Sequence, residues 1–194
     1  MQVIAVNRAR SREILINGRK VRSAIGKQPV TGPVAVRHLG LEGDEQADLT
    51  LHGGLSKAVY AYPKEHYSFW QTVRAQAAVS LWDEPLPPGS MGENLTVQGL
   101  LEDRLWVGDR LLIGGSAQSP GCVLAVSEPR FPCAKFAAAM GFQQAAKMMV
   151  QSAYCGAYLG VIVPGVVQAG DRIELQPGPR EVNLRELFKS RARA

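Results

Sequence analysis

The sequence lacks the features that would place it in a membrane or outside the cell. Its 194 residues contain no apolar run long enough to cross a bilayer. The N-terminal segment MQVIAVNRARSRE has too short an apolar stretch for a secretion signal. Hydrophobic residues make up 46% of the chain and charged residues 20%, which is ordinary for a globular protein. We therefore expect a cytoplasmic protein of one main domain, without a membrane partner.

Cysteine and histidine are both scarce. The three cysteines, Cys122, Cys133 and Cys155, form no C-x-x-C pair, which argues against a structural zinc site and against a disulfide framework. Reduced thiols in a reducing compartment fit better. Cys122 and Cys155 lie in apolar, strand-like stretches and are interpreted as core residues. Nothing in the sequence is typical of a flavin or haem module.

Positive charge is concentrated at the two ends of the chain. Residues 1–22 carry six cations against one acid, and residues 180–194 carry five cations against two acids. The net charge of the whole chain is only +5, so the middle of the chain is net negative. Basic ends can bind nucleic acid, but no aromatic-rich binding motif accompanies them. We interpret them as solvated termini and do not expect a nucleic-acid partner.

Short β-branched runs bounded by Gly, Pro or Asp predict a mainly β fold. Two segments look alike, VGDRLLIG (107–114) and AGDRIELQ (169–176), and each places a Gly-Asp turn before a strand. Many short strands with tight turns favour a barrel or a sandwich. The predicted strands are 2–6, 13–16, 34–39, 58–62, 94–98, 110–114, 122–126, 159–163 and 172–176. The predicted helices are 63–77, the stretch from Cys133 through Met140, its continuation to about Val150, and 181–190.

Cys133 lies in the most distinctive segment, EPRFPCAKF (128–136). If a helix begins near Ala134, backbone N–H groups at its start, together with Arg130 and Lys135, stabilise a thiolate and lower the cysteine pKa. Pro residues before the thiol stiffen its approach. Such a thiolate can act as a nucleophile, a redox thiol or a metal ligand. The alternative is a small buried residue at a helix start.

Two further segments have the chemistry of a binding site. DLTLHGGLSKAVYAYP (48–63) combines a tight His-Gly-Gly turn with a lysine, which can cradle an anion. MGENLT (91–96) places a carboxylate beside an amide, a pair that can bind a polar heterocycle. Each segment also reads as an ordinary turn. The candidate residues are His52, Gly53, Gly54, Lys57, Glu93 and Asn94.

Taken in this order, the segments resemble the MOSC-domain family, in its stand-alone bacterial, YiiM-like branch. The resemblance runs from about residue 10 to residue 176. It is carried by VRSAIGKQPV (21–30), residues 40–70, GSMGENLTVQGL (89–100), VGDRLLIG and EPRFPCAKF. It implies a MOSC-type β-barrel with a few peripheral α-helices over residues 1–178. Residues 179–194 would then be a C-terminal helix with a basic tail, the first part of a three-helix appendage that such chains usually carry.

The resemblance also implies that the chain binds the molybdenum cofactor, a molybdopterin carrying molybdenum and a phosphate. Cys133 matches the family's metal-ligating cysteine, and a deprotonated thiol is a soft ligand suited to such a metal. Cations would hold the phosphate or the pterin, while the backbone at the Gly-Gly turn and the Glu-Asn pair would grip the pterin edges. The implied cofactor-binding residues are Lys27, His52, Gly53, Gly54, Lys57, Glu93, Asn94, Arg130 and Cys133.

The implied activity is reduction of N-hydroxylated compounds, such as N-hydroxylated purine bases, to amines. Cys133 is the implied metal ligand, and Asp44, Asp48 and His52 are candidate proton relays. Because the chain has no flavin or haem module, electrons would come from a separate reductase. The alternative is a sulfur carrier or cofactor-delivery module that uses a Cys133 persulfide. The apolar face of 181–190 is expected to cover the barrel or a second subunit, which leaves a homodimer open.

Overall fold

The structure is a computed structural model that describes residues 1–47, 53–115 and 121–192. This part of the chain forms strands β1 (Gln2–Arg8), β2 (Arg12–Ile16), β3 (Arg19–Ser23), β4 (Gln28–Val30), β5 (Val34–Arg37), β6 (Gly40–Leu41), β7 (Val59–Pro63), β8 (Leu95–Gln98), β9 (Arg110–Ile113), β10 (Cys122–Pro129), β11 (Ala157–Val163), β12 (Gly165–Val167) and β13 (Ile173–Gln176). Its α-helices are α1 (Tyr67–Gln76), α2 (Ala134–Met140), α3 (Ala145–Ser152) and α4 (Leu184–Ala192).

One large sheet organises the molecule. Its eight strands follow the order β13-β9-β10-β11-β7-β8-β1-β4, and every neighbouring pair is antiparallel except β7 with β8. A three-stranded sheet, β12-β5-β6, and a separate hairpin, β2-β3, complete the strands. Buried Val, Leu and Ile side chains from these strands form a continuous apolar core. The prediction of a mainly β fold with a few helices is confirmed.

The predicted closure of this sheet into a barrel is not confirmed. The two ends of the sheet approach each other at an isolated bridge between Gln2 and Arg172, and Val3 exchanges backbone hydrogen bonds with Asp171 and Gly170 at 2.9 and 2.8 Å. Within the described residues no ladder extends this contact. On the side of β1 away from β8, the last three residues pair with β4. Only the first residues of β1 contact the turn before β13.

All nine predicted strand positions contain a strand, and the two similar segments pair with each other. Ile113 of β9 lies opposite Ile173 of β13. The same turn precedes both strands: Asp109 Oδ2 accepts a hydrogen bond from the N–H three residues earlier at 3.1 Å, and Asp171 Oδ2 does so at 2.8 Å. Sequence patterns missed β3, β4, β6 and β12. Except for β3, these strands have only two or three residues, too few to show an alternating pattern.

The helices cover one side of the sheet and build a second apolar cluster around Trp70, Phe136 and Phe188, each fully buried. α4 belongs to this cluster, because Phe188 stacks on Phe131 with 5.0 Å between ring centroids. His66, just before α1, is buried, with Nε2 2.7 Å from Glu102 Oε2. None of the described helices is long and apolar enough to span a bilayer.

Candidate functional site

A pocket partly open to solvent lies between the segment after β3, strands β7 and β11, and the start of α2. It brings together side chains from widely separated parts of the chain. Five of the predicted cofactor-binding residues line it, namely Lys27, Lys57, Asn94, Arg130 and Cys133, and so does Asp44, a candidate proton relay. Lys135 also lines it, so four cations face a pocket whose described acidic lining residues are Asp44 and Glu45. An excess of positive charge favours an anionic ligand.

Cys133 caps the N-terminus of α2. Its backbone is extended (φ −138°, ψ 175°), and its carbonyl oxygen accepts hydrogen bonds from Phe136 N at 3.0 Å and Ala137 N at 3.2 Å. Its side chain is half-buried, packs beside the second apolar cluster and lines the pocket. The helix start at Ala134 is where the sequence predicted it. The thiol is therefore held at the boundary between the core and the pocket, with access from solvent.

Arg130 is the most unusual charged residue in the pocket. It is 5% exposed, and its guanidinium carbon lies 4.7 Å from the ring centroid of Phe136 and 5.4 Å from that of Tyr60. Nη1 contacts Met149 Sδ at 3.7 Å. Within the described residues no carboxylate forms an ion pair with it. A buried cation is costly without a negative partner, so this environment favours a bound anion or an ionised neighbour.

Three ionisable groups, Tyr60, Tyr158 and Cys133, interact with Arg130. Burial opposes the charge of the guanidinium, but interactions with Tyr60, Tyr158 and Cys133 outweigh it and raise the pKa of Arg130 above its ordinary value. Burial also raises the pKa of Tyr60 and of Tyr158, so both phenols are neutral near neutral pH. Cys133 is the thiol among these three groups. A guanidinium beside a thiol favours its ionised form, so the placement of Arg130 suits a thiolate at this position.

Lys27 and Asn94 line the pocket but are already bonded to protein groups. Lys27 Nζ lies 2.5 and 2.6 Å from the two carboxylate oxygens of Asp44. Asn94 Nδ2 donates to Asp44 Oδ2 at 2.8 Å, while Asn94 Oδ1 accepts from Tyr60 N at 3.0 Å. Burial lowers the pKa of Lys27, and the Asp44 carboxylate opposes that shift. This network shapes the wall, and its lysine is less available to an anionic ligand than Arg130 is.

Glu93 lies behind the pocket wall and is fully buried. Its carboxylate accepts hydrogen bonds from Tyr67 Oη, Thr96 Oγ1, Gly89 N and Met91 N. Burial raises the pKa of Glu93, and these hydrogen bonds oppose the shift. The side chain is not among the pocket-lining groups. The structure therefore places it as a support for the loop of residues 89–93, and sequence reasoning had no means to distinguish that role from ligand binding.

The Gly-Gly turn lies next to the pocket wall and is not part of it. Gly54 N donates to Gln46 Oε1 at 2.9 Å, and Gln46 is a lining residue, whereas Gly53 and Gly54 are not. Lys57 does line the pocket, with Nζ 3.7 Å from Glu128 Oε1 and 5.8 Å from the ring centroid of Tyr158. Two predicted catalytic residues, Asp48 and His52, lie outside the described residues, so their roles stay predictions.

Sequence reasoning missed the tyrosines of the pocket. Tyr60 of β7 and Tyr158 of β11 are directly opposite each other in an antiparallel pair, and their ring centroids lie 5.3 Å apart. Both rings line the pocket beside Arg130. The signal was weak, because each tyrosine looks like an ordinary strand residue. Ninety-eight residues of sequence separate the two, and only the pairing of the strands brings them together.

The described residues of the pocket do not form a metal-binding set of protein side chains. Within the described residues there is no group of three or more His, Cys, Asp or Glu side chains that could hold a metal ion. The pocket instead offers one thiol among cations. That combination fits an anionic cofactor that brings most of its metal's ligands with it, and a thiolate completes the coordination of a soft metal. A molybdenum-bearing pterin dithiolene has this chemistry.

Comparison with known proteins agrees with this interpretation. The family model described as "MOSC domain" matches residues 48–174. The chain belongs to the MOSC-domain family. This family is associated with molybdenum-cofactor enzymes.

Several relatives cover most of the MOSC-domain chain. It is 35% identical to YflK of Bacillus subtilis (strain 168), described as uncharacterized, over 89% of this chain and 72% of that protein. It is 35% identical to YiiM of Escherichia coli (strain K12) over 84% and 68%. The crystal structure of YiiM from Geobacillus stearothermophilus superposes with a TM-score of 0.75 at 28% identity, covering 98% and 83%. A protein described as a reductase, from Gibberella moniliformis (strain M3125 / FGSC 7600), is 31% identical over 90% of this chain but only 30% of its own length.

Proposed function

We propose that the protein binds the molybdenum cofactor in this pocket and reduces N-hydroxylated compounds to amines. The proposed substrates are N-hydroxylated purine bases. The proposed protein ligand to the metal is Cys133. The single observation that carries the proposal is the pairing of a buried cation with a pocket thiol at Arg130 and Cys133. Membership of the MOSC-domain family and similarity to a protein described as a reductase support it.

The chain's own residues bind and orient. Arg130 stabilises negative charge on Cys133 and presents a guanidinium to an anionic ligand. Lys57 and Lys135 also line the pocket and add attraction for a phosphate. The bound cofactor would supply two-electron chemistry, in which an N–OH group takes up two electrons and two protons to give an amine and water. Burial keeps Tyr60 and Tyr158 protonated beside this space, and Tyr60 Oη donates to the carbonyl oxygen of Cys155 at 2.9 Å.

Protons and electrons come from two different sources in this proposal. Asp48 and His52 remain our candidates for proton relay. Asp44 is a weaker candidate, because Lys27, Asn94 and the backbone N–H of Ala9 already occupy its carboxylate. Two electrons per turnover come from a separate reductase protein, and the small N-hydroxylated substrate enters from solvent.

A closed β-barrel, as the family resemblance implies, would require the contact between Gln2 and Arg172 to extend into a ladder.

The activity test compares wild-type protein with Cys133→Ser, both purified from a host that makes the cofactor. Each sample receives an N-hydroxylated purine and a chemical reductant, and amine formation is followed. The proposal predicts amine formation by wild type and a loss of at least about a hundredfold in Cys133→Ser, because a metal ligand is removed. Equal rates in the two samples would defeat it.

A sulfur carrier using a Cys133 persulfide is the second candidate, favoured by the same accessible thiol beside Arg130. Intact-mass measurement after exposure to a sulfur donor separates the two functions. A gain of one sulfur that depends on Cys133, without amine formation, would favour the carrier. Amine formation by cofactor-loaded protein would favour the reductase.

A further inference from the structure

The β2-β3 hairpin (residues 12–23) stands apart from the main sheet and forms part of the pocket wall. Its strands pair only with each other within the described ladders. Asn17 and Gly18 make the turn with positive φ values of 51° and 76°, as a two-residue hairpin loop requires. Where β3 ends, Ser23, Ala24 and Ile25 line the pocket. A protein seated on the hairpin would therefore lie at the pocket's edge.

The two faces of the hairpin differ. Its register places Glu13 opposite Arg22 and Leu15 opposite Lys20 on one face, and all four side chains are exposed. Leu15 is 69% exposed. The other face carries half-buried Ile14, Ile16 and Val21 and is turned toward the molecule. We call the face of Glu13, Leu15, Lys20 and Arg22 the outer face.

Positive charge dominates the exposed hairpin. Arg12, Arg19, Lys20 and Arg22 are exposed, and the hairpin's one acid, Glu13, forms a 3.1 Å ion pair with Lys20. Exposed ion pairs of this kind contribute little to folding stability, so folding does not explain the cluster. The hairpin as a whole thus exposes four cations and one acid around an exposed Leu15. An apolar residue beside an excess of one charge is typical of a surface that binds a complementary partner transiently.

We propose that the outer face of the hairpin is the docking surface for an acidic electron-carrier protein. The inference rests on the proposed function, which requires electrons from outside the chain. Charge complementarity accelerates such encounters, and small, salt-sensitive interfaces suit a carrier that must leave after each transfer. The hairpin's connection to the pocket wall through Ser23 places the carrier where electrons are needed.

A nucleic acid fits this surface less well. Single-stranded nucleic acids are bound by aromatic side chains that stack on the bases, and residues 12–23 contain no aromatic residue. Leu15 at the centre of the outer face has no role against a phosphate backbone. Leu15 beside Lys20 and Arg22 suits a protein partner that offers acidic groups around an apolar contact.

The test uses a purified acidic flavodoxin carrying its flavin as the probe. Its Kd for the cofactor-loaded protein is measured at low and high salt. The variant is Lys20→Gln/Arg22→Gln, and the matched control is Arg104→Gln/Arg110→Gln, which removes the same charge from exposed positions that do not line the pocket. We expect the hairpin variant to weaken binding by about tenfold with a smaller salt dependence, and the control by less than about twofold.

Three results would overturn the docking proposal: no flavodoxin binding to wild type at low salt, equal losses in the two variants, or tighter hairpin-dependent binding of a single-stranded DNA oligonucleotide used as competitor. Amine formation driven by reduced viologen reports on the proposed function separately. If viologen-driven activity is present and hairpin-dependent flavodoxin binding is absent, only docking fails. If flavodoxin binds at the hairpin and viologen-driven activity is absent, only the reductase function fails.

Discussion

Arg130 is the side chain on which the proposed function depends most. Arg130 is 5% exposed, its guanidinium lies over the rings of Phe136 and Tyr60, and no carboxylate in the described part of the chain forms an ion pair with it. Taking a cation out of water costs desolvation energy, which Tyr60, Tyr158 and Cys133 offset here. Proteins retain such groups at binding sites, where stability is exchanged for function. The effects of replacing Arg130 on stability and on metal retention therefore distinguish a structural role from a binding role.

Replacing Arg130 by Met should leave the cofactor-free protein as stable as wild type, or more stable by up to about 3 kcal/mol. The same change should lower the molybdenum retained during purification by at least about tenfold, because the anionic ligand loses its buried cation. Thermal unfolding and metal analysis measure the two effects. Arg130→Lys, which keeps the charge without the planar guanidinium, should fall between. A loss of several kcal/mol in Arg130→Met would instead show a structural role.

Gly89 is held against the backbone of the pocket wall. Its φ is +87°, and a Cβ at this position would lie 2.4 Å from the carbonyl oxygen of Lys27. We expect Gly89→Ala to lower the free energy of unfolding by more than about 2 kcal/mol and to displace Lys27. Gly170→Ala is the matched control, with φ +94° and no atom within 4 Å of the added Cβ, and should cost about 1 kcal/mol. Equal losses in chemical denaturation would refute the close approach.

Residue types alone predicted part of the site. Cys133 and Arg130 are three residues apart, so their proximity follows from the local chain, and the N-cap position follows from the helix start. Glu93 was predicted to bind ligand, but whether a carboxylate faces a pocket or the core depends on the packing of distant loops. The contact between Tyr60 and Tyr158 depends on strand pairing across most of the chain.

At the scale of elements, local patterns predicted strands well and closure poorly. Alternating apolar residues and Gly-Asp turns are local, so β9 and β13 were recognisable, and so was their shared turn. Whether a sheet closes depends on how its two edge strands meet. That is decided by the division of β1 between β4 and the turn before β13, which no local pattern reveals.

α4 is expected to stabilise the segment that carries Cys133. Phe188 is fully buried and stacks on Phe131, two residues before the thiol. Phe188→Ala should lower the free energy of unfolding by about 3–5 kcal/mol, because it leaves a cavity, and should speed alkylation of Cys133. Glu186→Ala, at an exposed ion pair with Lys189, should change stability by less than about 0.5 kcal/mol. Unchanged alkylation in Phe188→Ala would show that α4 does not position the thiol.

At the scale of the whole molecule, the pocket is assembled by topology. Four of its lining residues, Lys27, Lys57, Asn94 and Cys133, come from separate segments of the chain. Most of these four residues lie in or next to β7, β8, β10 and β11, which are consecutive in the large sheet. The basic N-terminal segment, interpreted from sequence as a solvated terminus, folds into the hairpin beside this pocket. Composition could describe its charge but not its position.

The most direct test of the account is the molybdenum and pterin content of protein purified from a host that makes the cofactor, with Cys133→Ser as the matched variant. If the thiolate beside Arg130 ligates the metal, wild type should hold up to about one molybdenum and one pterin per chain, and the variant at least about tenfold less metal. Equal, near-zero metal in the two proteins would contradict the account.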